Sequence, residues 1–170
     1  MANRKIENFS QGWWLHTIKK ENKFYTACGD GKAPFICAND IASIAFWCLT
    51  TNQSLEPSYR ALGGELLTFD EVSVLTISHC STADDCLQIA QKLSNGTSRD
   101  IEHVKVSQQE VVNYYMNAHW PEQGAYFMSW IESRTAEGKE TMLNDAVQMA
   151  TGRSPLKFDG WLQENKTYFE

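Results

Sequence analysis

Helix-initiation signals recur along this chain at intervals that leave room only for short extended segments between them. Thr68 with Glu71, and Ser107 with Glu110, have capping-box spacing. There a hydroxyl and a carboxylate three residues apart satisfy two free N–H groups at a helix start. Ser10, Asn39-Asp40 and Ser154-Pro155 add three more N-terminal signals, and Gly152 stands where a helix-ending glycine belongs. These signals predict a helix over 10–21 with Trp14, Leu15 and Ile18 on its apolar stripe. They predict a second helix, opened by Asn39-Asp40, that buries Ile41, Ile44, Ala45 and Leu49. Further helices are expected after Glu71 and over 82–93, 107–116, 121–135, 139–150 and 155–165. Between them, 24–28 and 34–37 read as short strands separated by the turn Gly29-Asp30-Gly31-Lys32. Residues 59–62 read as a strand ending at Gly63-Gly64, and 101–106 alternate as a half-buried strand does. No repeat or linker divides the chain. Residues 1–170 are expected to form one helix-rich α/β domain with three or four short strands.

The glycines exclude a complete dinucleotide-binding sheet of the usual kind. Such a site needs glycines at fixed offsets between a strand and a helix, so that a pyrophosphate can approach the helix N-terminus. Gly29 and Gly31 are the only close pair with one residue between them, and Pro34 takes the place of the third glycine. No phosphate-loop sequence, Gly-x-Ser-x-Gly elbow or Tyr-x-x-x-Lys pair is present. Hydride transfer by this chain alone is not expected, and no cofactor is assigned to it. A net charge of -6 gives no electrostatic footprint for nucleic acid. No apolar run approaches the roughly 20 residues of a membrane span, and Met1 to Lys5 lead into no signal-peptide core. Five scattered cysteines do not make a disulfide framework. Together these features read as a reduced, cytoplasmic protein, in which the glycosylation-like triplets at Asn8, Asn52, Asn95 and Asn165 carry no weight.

Several residues could carry chemistry. His79, Cys80 and Cys86 lie close together, but their spacing matches no common zinc pattern, so no metal is expected. Phe9, Trp13 and Trp14 cluster near one end of the chain, and Trp120, Tyr126, Phe127 and Trp130 near the other. Tyr126 and Phe127 stand four and three residues before Trp130, so on a helix they share a face. That face is either core or the wall of an apolar small-molecule pocket. Trp13 and Trp14 are adjacent and cannot point the same way, so one packs while the other faces a cavity or partner. For proton transfer the candidates are His16, His119, Glu7, Asp40 and Tyr25. Asp40 reads also as a plain helix cap, and His16 as a packed residue beside tryptophans.

An ordered set of segments carries a family resemblance. Glu7-Asn8-Phe9-Ser10 is followed by 29–35 (Gly-Asp-Gly-Lys-Ala-Pro-Phe), 38–42 (Ala-Asn-Asp-Ile-Ala) and 62–72 (Leu-Gly-Gly-Glu-Leu-Leu-Thr-Phe-Asp-Glu-Val). Near the end come 143–147 (Leu-Asn-Asp-Ala-Val) and 151–155 (Thr-Gly-Arg-Ser-Pro). Nearly the whole chain resembles the C-terminal half of the NmrA-like reductases of fungal ergot alkaloid biosynthesis, atypical short-chain reductases of the festuclavine and agroclavine dehydrogenase type. The resemblance implies a truncated NmrA-like fold without the cofactor half, whose members use NADPH to reduce an iminium formed when an amine closes on an aldehyde. It places Asn8 and Phe9 where the substrate meets the nicotinamide, and the Asp40 segment in support. Residues 73–86 look like an insertion relative to the family.

Two functional expectations follow. The first is a cofactor-independent enzyme of alkaloid metabolism that cyclises or isomerises a hydrophobic indole- or terpenoid-like substrate without redox chemistry. His16 or Glu7 would move protons, and Asn8, Phe9, Trp13, Trp14, Tyr25, Tyr126, Phe127 and Trp130 would line the pocket. The second is a non-catalytic binding or regulatory module, or a partner subunit of an NADPH-dependent clavine-type reductase. Either expectation includes a homodimer, which would cover the sheet edge and apolar face left by the missing half.

Overall fold

The computed structural model describes residues 4–52, 60–70 and 89–170. The helix expected after Glu71, the start of the one expected over 82–93, and residues 73–86 with His79, Cys80 and Cys86 lie outside the described residues.

The chain opens with β1 (Arg4–Lys5), a 3-10 turn (Ile6–Ser10) and α1 (Gly12–Glu21). β2 (Lys23–Thr26) and β3 (Ala33–Ile36) lead into α2 (Ala38–Thr50). β4 (Glu65–Leu67), α3 (Ile89–Thr97), β5 (Glu102–Lys105), α4 (Gln108–Asn117) and α5 (Glu122–Ala136) follow. α6 (Ala146–Thr151), α7 (Phe158–Asn165) and a final 3-10 turn (Lys166–Phe169) complete the chain. The strands form two small sheets. β3 is central in one, parallel to β1 with Arg4 opposite Phe35, and antiparallel to β4 with Phe35 opposite Glu65. In the other, β2 and β5 run parallel, from Lys23 opposite Glu102 to Thr26 opposite Lys105. This is a helix-rich α/β fold with small sheets.

The main core is aromatic. Phe9 is fully buried against the rings of Trp14, Phe24, Phe35 and Phe158, at centroid separations of 4.8 to 6.0 Å. Phe69, Trp161 and Phe169 extend the same cluster, with Ile6, Ile18, Ile89 and Leu93 between the rings. Offset and edge-to-face arrangements of this kind add roughly 0.5–1.5 kcal/mol per pair beyond burial.

Local signals and tertiary contacts together set the element bounds. The Ser107–Glu110 capping box forms as its spacing requires: Glu110 N–H donates to Ser107 Oγ at 3.3 Å, and Ser107 N–H donates to Glu110 Oε2 at 2.8 Å. Gly152 ends α6 in the left-handed region. Ser10 does not cap α1. It closes the preceding turn, donating to the Glu7 carbonyl at 3.0 Å, and Gln11 takes the cap position. The strand expected over 59–62 is displaced to Glu65–Leu67, beyond the glycines. Gly63 lies so close to the Phe35 carbonyl that a Cβ would stand 1.5 Å from its oxygen, so it admits β4 to the sheet. The helix expected over 139–150 is confined to Ala146–Thr151, because the Asn144 amide reaches the Arg60 carbonyl at 2.5 Å and ties the approach to a distant segment. α7 starts at Phe158 and not at Pro155, since the Leu156 N–H is drawn to Asp40 at 2.8 Å. α2 buries Ile44 and half-buries Ile41. Ala45 is exposed and Leu49 is 87% exposed, so the face expected to be core is partly on the surface.

Candidate functional site

In open α/β sheets, ligands sit beyond the carboxyl ends of parallel strands. Beyond β1 and β3 the chain places Glu7, Asn8 and the start of α2. Glu7 Oε1 accepts the Ala38 N–H at 2.8 Å and contacts Cys37 Sγ at 3.2 Å. The carboxylate therefore covers a helix N-terminus, where free N–H groups and the helix dipole favour negative charge. Its other oxygen, Oε2, is buried without a hydrogen-bond partner. Half-buried Asn8 follows it, and Phe9 turns inward to the core. Burial pushes the Cys37 thiol up to about 11, so it stays a neutral donor beside Glu7. Asp40, in the first turn of α2, is fully buried. It accepts the Leu156 N–H and pairs with Arg153 at 2.7 Å, so it fastens α2 to the α6–α7 connection and does not cap its own helix.

Two further buried polar networks cross the fold. Arg4 on β1 donates to Thr135 Oγ1 at 2.9 Å and to Cys28 Sγ at 3.3 Å, with its guanidinium 5.2 Å from the Phe69 ring centroid. Glu132 on α5 is fully buried and accepts the Ala27 N–H at 2.7 Å. Burial raises its pKa, and the nearby Arg4 charge opposes that rise. Burial also pushes the Cys28 thiol up to about 12. The second network crosses the other sheet. Thr26 Oγ1 lies 2.8 Å from His103 Nε2, His103 Nδ1 lies 2.7 Å from Asp70, and Lys105 bridges Asp70 and Asp30. A neutral ring donating from Nδ1 to Asp70 and accepting from Thr26 at Nε2 satisfies all three groups. Burial depresses the His103 pKa against the pull of Asp70. The order hydroxyl, imidazole, carboxylate is that of a nucleophile relay, but Thr26 is completely buried, so the array joins β2 to β5 and the Asp70 turn. Thr26, Asp70, His103 and Lys105 stand far apart in sequence with no shared motif, so only their pairing across the sheet reveals the cluster.

The remaining expected site residues do not converge on Glu7. Trp14 packs against Phe9, with its indole N–H on the Tyr25 carbonyl at 3.2 Å. Trp13 faces the other way, stacked on Tyr114 at 5.2 Å, with Tyr25 alongside at 6.1 Å. Tyr25 donates to Glu21 at 2.7 Å, and that bond pushes its pKa up to about 12. His16 and His119 are exposed on the surface. Tyr126, Phe127 and Trp130 do share one face of α5, but they are 51%, 56% and 54% exposed. They form an external patch, with Arg134 over the Trp130 ring, and are neither core nor the wall of an enclosed pocket. Among the described residues, no group of three His, Cys, Asp or Glu is placed to hold a metal ion, and no helix is long and apolar enough to cross a membrane.

The Gly29–Gly31 turn does not fit a nicotinamide dinucleotide. A Cβ on Gly31 would stand 1.9 Å from the Thr135 carbonyl oxygen, so this glycine admits α5 to the turn and leaves no space for a pyrophosphate. The next segment is β3, not a helix.

No family model matches the chain. It is 31% identical over 163 residues to the agroclavine dehydrogenase of Claviceps fusiformis, covering 95% of this chain and 50% of that protein. It is likewise 31% identical over 163 residues to the festuclavine dehydrogenase of Aspergillus fumigatus, with the same coverage. The chain thus spans about half the length of the curated relatives it matches. The fold superimposes on half of the Citrobacter sp. triphenylmethane reductase solved with NADP(H), with a TM-score of 0.72 and 21% identity over 96% of this chain and 50% of that one.

Proposed function

From this kinship with one half of the NmrA-like, atypical short-chain reductases of the clavine type, we propose that the chain supplies the substrate-facing half of an oxidoreductase of alkaloid secondary metabolism. Its site is the Glu7–Asn8 turn beyond β1 and β3, and its ligand is an indole-bearing amine or iminium cation. The observation that carries this reading is the half-satisfied Glu7 carboxylate. Oε1 is fixed by the α2 backbone while Oε2 is buried without a partner. An unpaired buried acceptor is costly, and a bound ammonium or iminium would supply both a donor and the opposite charge. Asn8 beside it offers an amide for orientation. The hydride donor is then held by a cofactor-carrying partner. Self-association or pairing with such a chain would cover the edge of β1 left unpaired among the described residues and the exposed Phe46 and Leu49 of α2.

A non-redox cyclisation or isomerisation at the same turn is the second reading. It is favoured by Glu7 as a group able to take a proton, and a positioned base contributes roughly 10²–10⁴-fold. His16 does not share that place, and Tyr126, Phe127 and Trp130 lie on the outer face of α5.

Glu7→Gln is isosteric and keeps the acceptor for Ala38, so the fold is retained. Loss of a charge-assisted bond of about 1.5–3 kcal/mol should weaken a cationic clavine-type amine by about ten- to a hundredfold. Its neutral N-acyl counterpart should be little affected. Equal loss for both ligands, or for neither, would remove Glu7 from the site.

A further inference from the structure

We infer that the cleft between α3 and α7 is a second small-molecule site, suited to a compact organic phosphate. Nothing in the proposed amine site requires it. The cleft encloses about 430 Å³ and is lined by Lys92, Asn95, Asp159, Leu162, Gln163 and Lys166. That volume lies in the range of small-ligand pockets and well exceeds a bare phosphate.

Lys92 is the informative residue. Its side chain is only 5% exposed, yet among the described residues the one acceptor its ammonium meets is Asp159, at 2.5 Å. An ammonium carries three donors, so two remain free in the wall of the cleft. Lys166 adds a second cation, and two lysines against one carboxylate leave the cleft positive on a chain whose net charge is -6. The amides of Asn95 and Gln163 can bond hydroxyls, and Leu162 offers an apolar strip to a short carbon skeleton. Asp159 is half exposed and opposes the anion while holding Lys92 in place.

The test is a titration of the full chain with inorganic phosphate and with glycerol phosphate, following the backbone amide shifts of Lys92, Asn95 and Gln163 by NMR. Saturable binding is expected for both, tighter for glycerol phosphate. Asp159→Asn should raise the affinity by about fivefold, the weight of one partly exposed opposing charge. Lys92→Met should abolish binding, and Lys166→Gln should weaken it while leaving the core untouched. Absence of saturable shifts would overturn the inference, as would an Asp159→Asn variant that binds no tighter. Equal affinity for the two probes would overturn its organic part and leave a site for free phosphate.

Discussion

Replacing Arg4 by methionine removes the cation that ties β1 to α5, and the cost can be worked from its contacts. Arg4 is buried, donates to Thr135 and Cys28, lies over Phe69, and is the charge that opposes the burial-driven rise in the Glu132 pKa. One charge-assisted bond contributes about 1.5–3 kcal/mol. The Arg4 charge also acts at a distance on the buried Glu132 carboxylate, and losing that adds to the cost by less than the roughly 3–5 kcal/mol of breaking a direct buried ion pair. Glu132→Gln alone keeps an acceptor for the Ala27 N–H and should cost about 1 kcal/mol or less. If the Arg4 charge acts largely through Glu132, the double variant should be more stable than the sum of the singles by at least about 1 kcal/mol. Urea unfolding of the four proteins measures this directly. The coupling should also grow with pH. A raised folded-state pKa means that Glu132 contributes stability below its unfolded value near 4.5, and that this is lost as pH rises through the folded value. The Arg4→Met protein, in which that folded value climbs further, should show the steeper loss, and Glu132→Gln should abolish it. Additivity within about 0.5 kcal/mol at both pH 6 and pH 9 would refute the coupling.

Two further outcomes follow from the same contacts. His103 has a folded pKa held below 6.5 by burial, so its contribution is present above pH 6.5 and declines as pH falls toward the folded value. Thermal unfolding from pH 7.5 to 5 should show that decline, and a His103→Asn variant should lack it. Gly31→Ala would place a methyl 1.9 Å from the Thr135 carbonyl oxygen and force α5 away from the turn. Overpacking of this kind costs typically about 1–3 kcal/mol, so a midpoint in urea equal to that of the parent chain would contradict the close approach.

Local chemistry made much of the fold readable. The Ser107–Glu110 box, the Gly152 stop and the alternation over 101–106 each act through neighbours in sequence, and each took the form its spacing requires. The departures occur where distant contacts take over backbone groups. Asp40 captures Leu156 and delays α7, Asn144 reaches Arg60 and shortens α6, and Gly63 joins β4 to β3 where a stop was expected. The site divides in the same way. The family resemblance points to Asn8 and Phe9, and acid–base chemistry to Glu7; Glu7 and Asn8 stand beyond two parallel strands, while Phe9 is buried in the core. The aromatic stripe of α5 was correctly placed on one face, yet periodicity alone cannot say whether such a face is covered. Nothing local distinguishes Arg4, Glu132, His103 and Asp70, which are defined by partners 17 or more residues away.

The measurement that tests the central claim most directly is a pair of titrations of the purified chain, with NADPH and with a clavine-type amine, followed by tryptophan fluorescence. Trp13 and Trp14 follow the Glu7 turn closely enough to report on it. Saturable quenching by the amine with no response to NADPH is the expected result, because the Gly29–Gly31 turn is closed by α5 and the carboxylate oxygen left without a partner is at Glu7. Saturable NADPH binding by the chain alone would contradict the account and restore a complete reductase site to these residues.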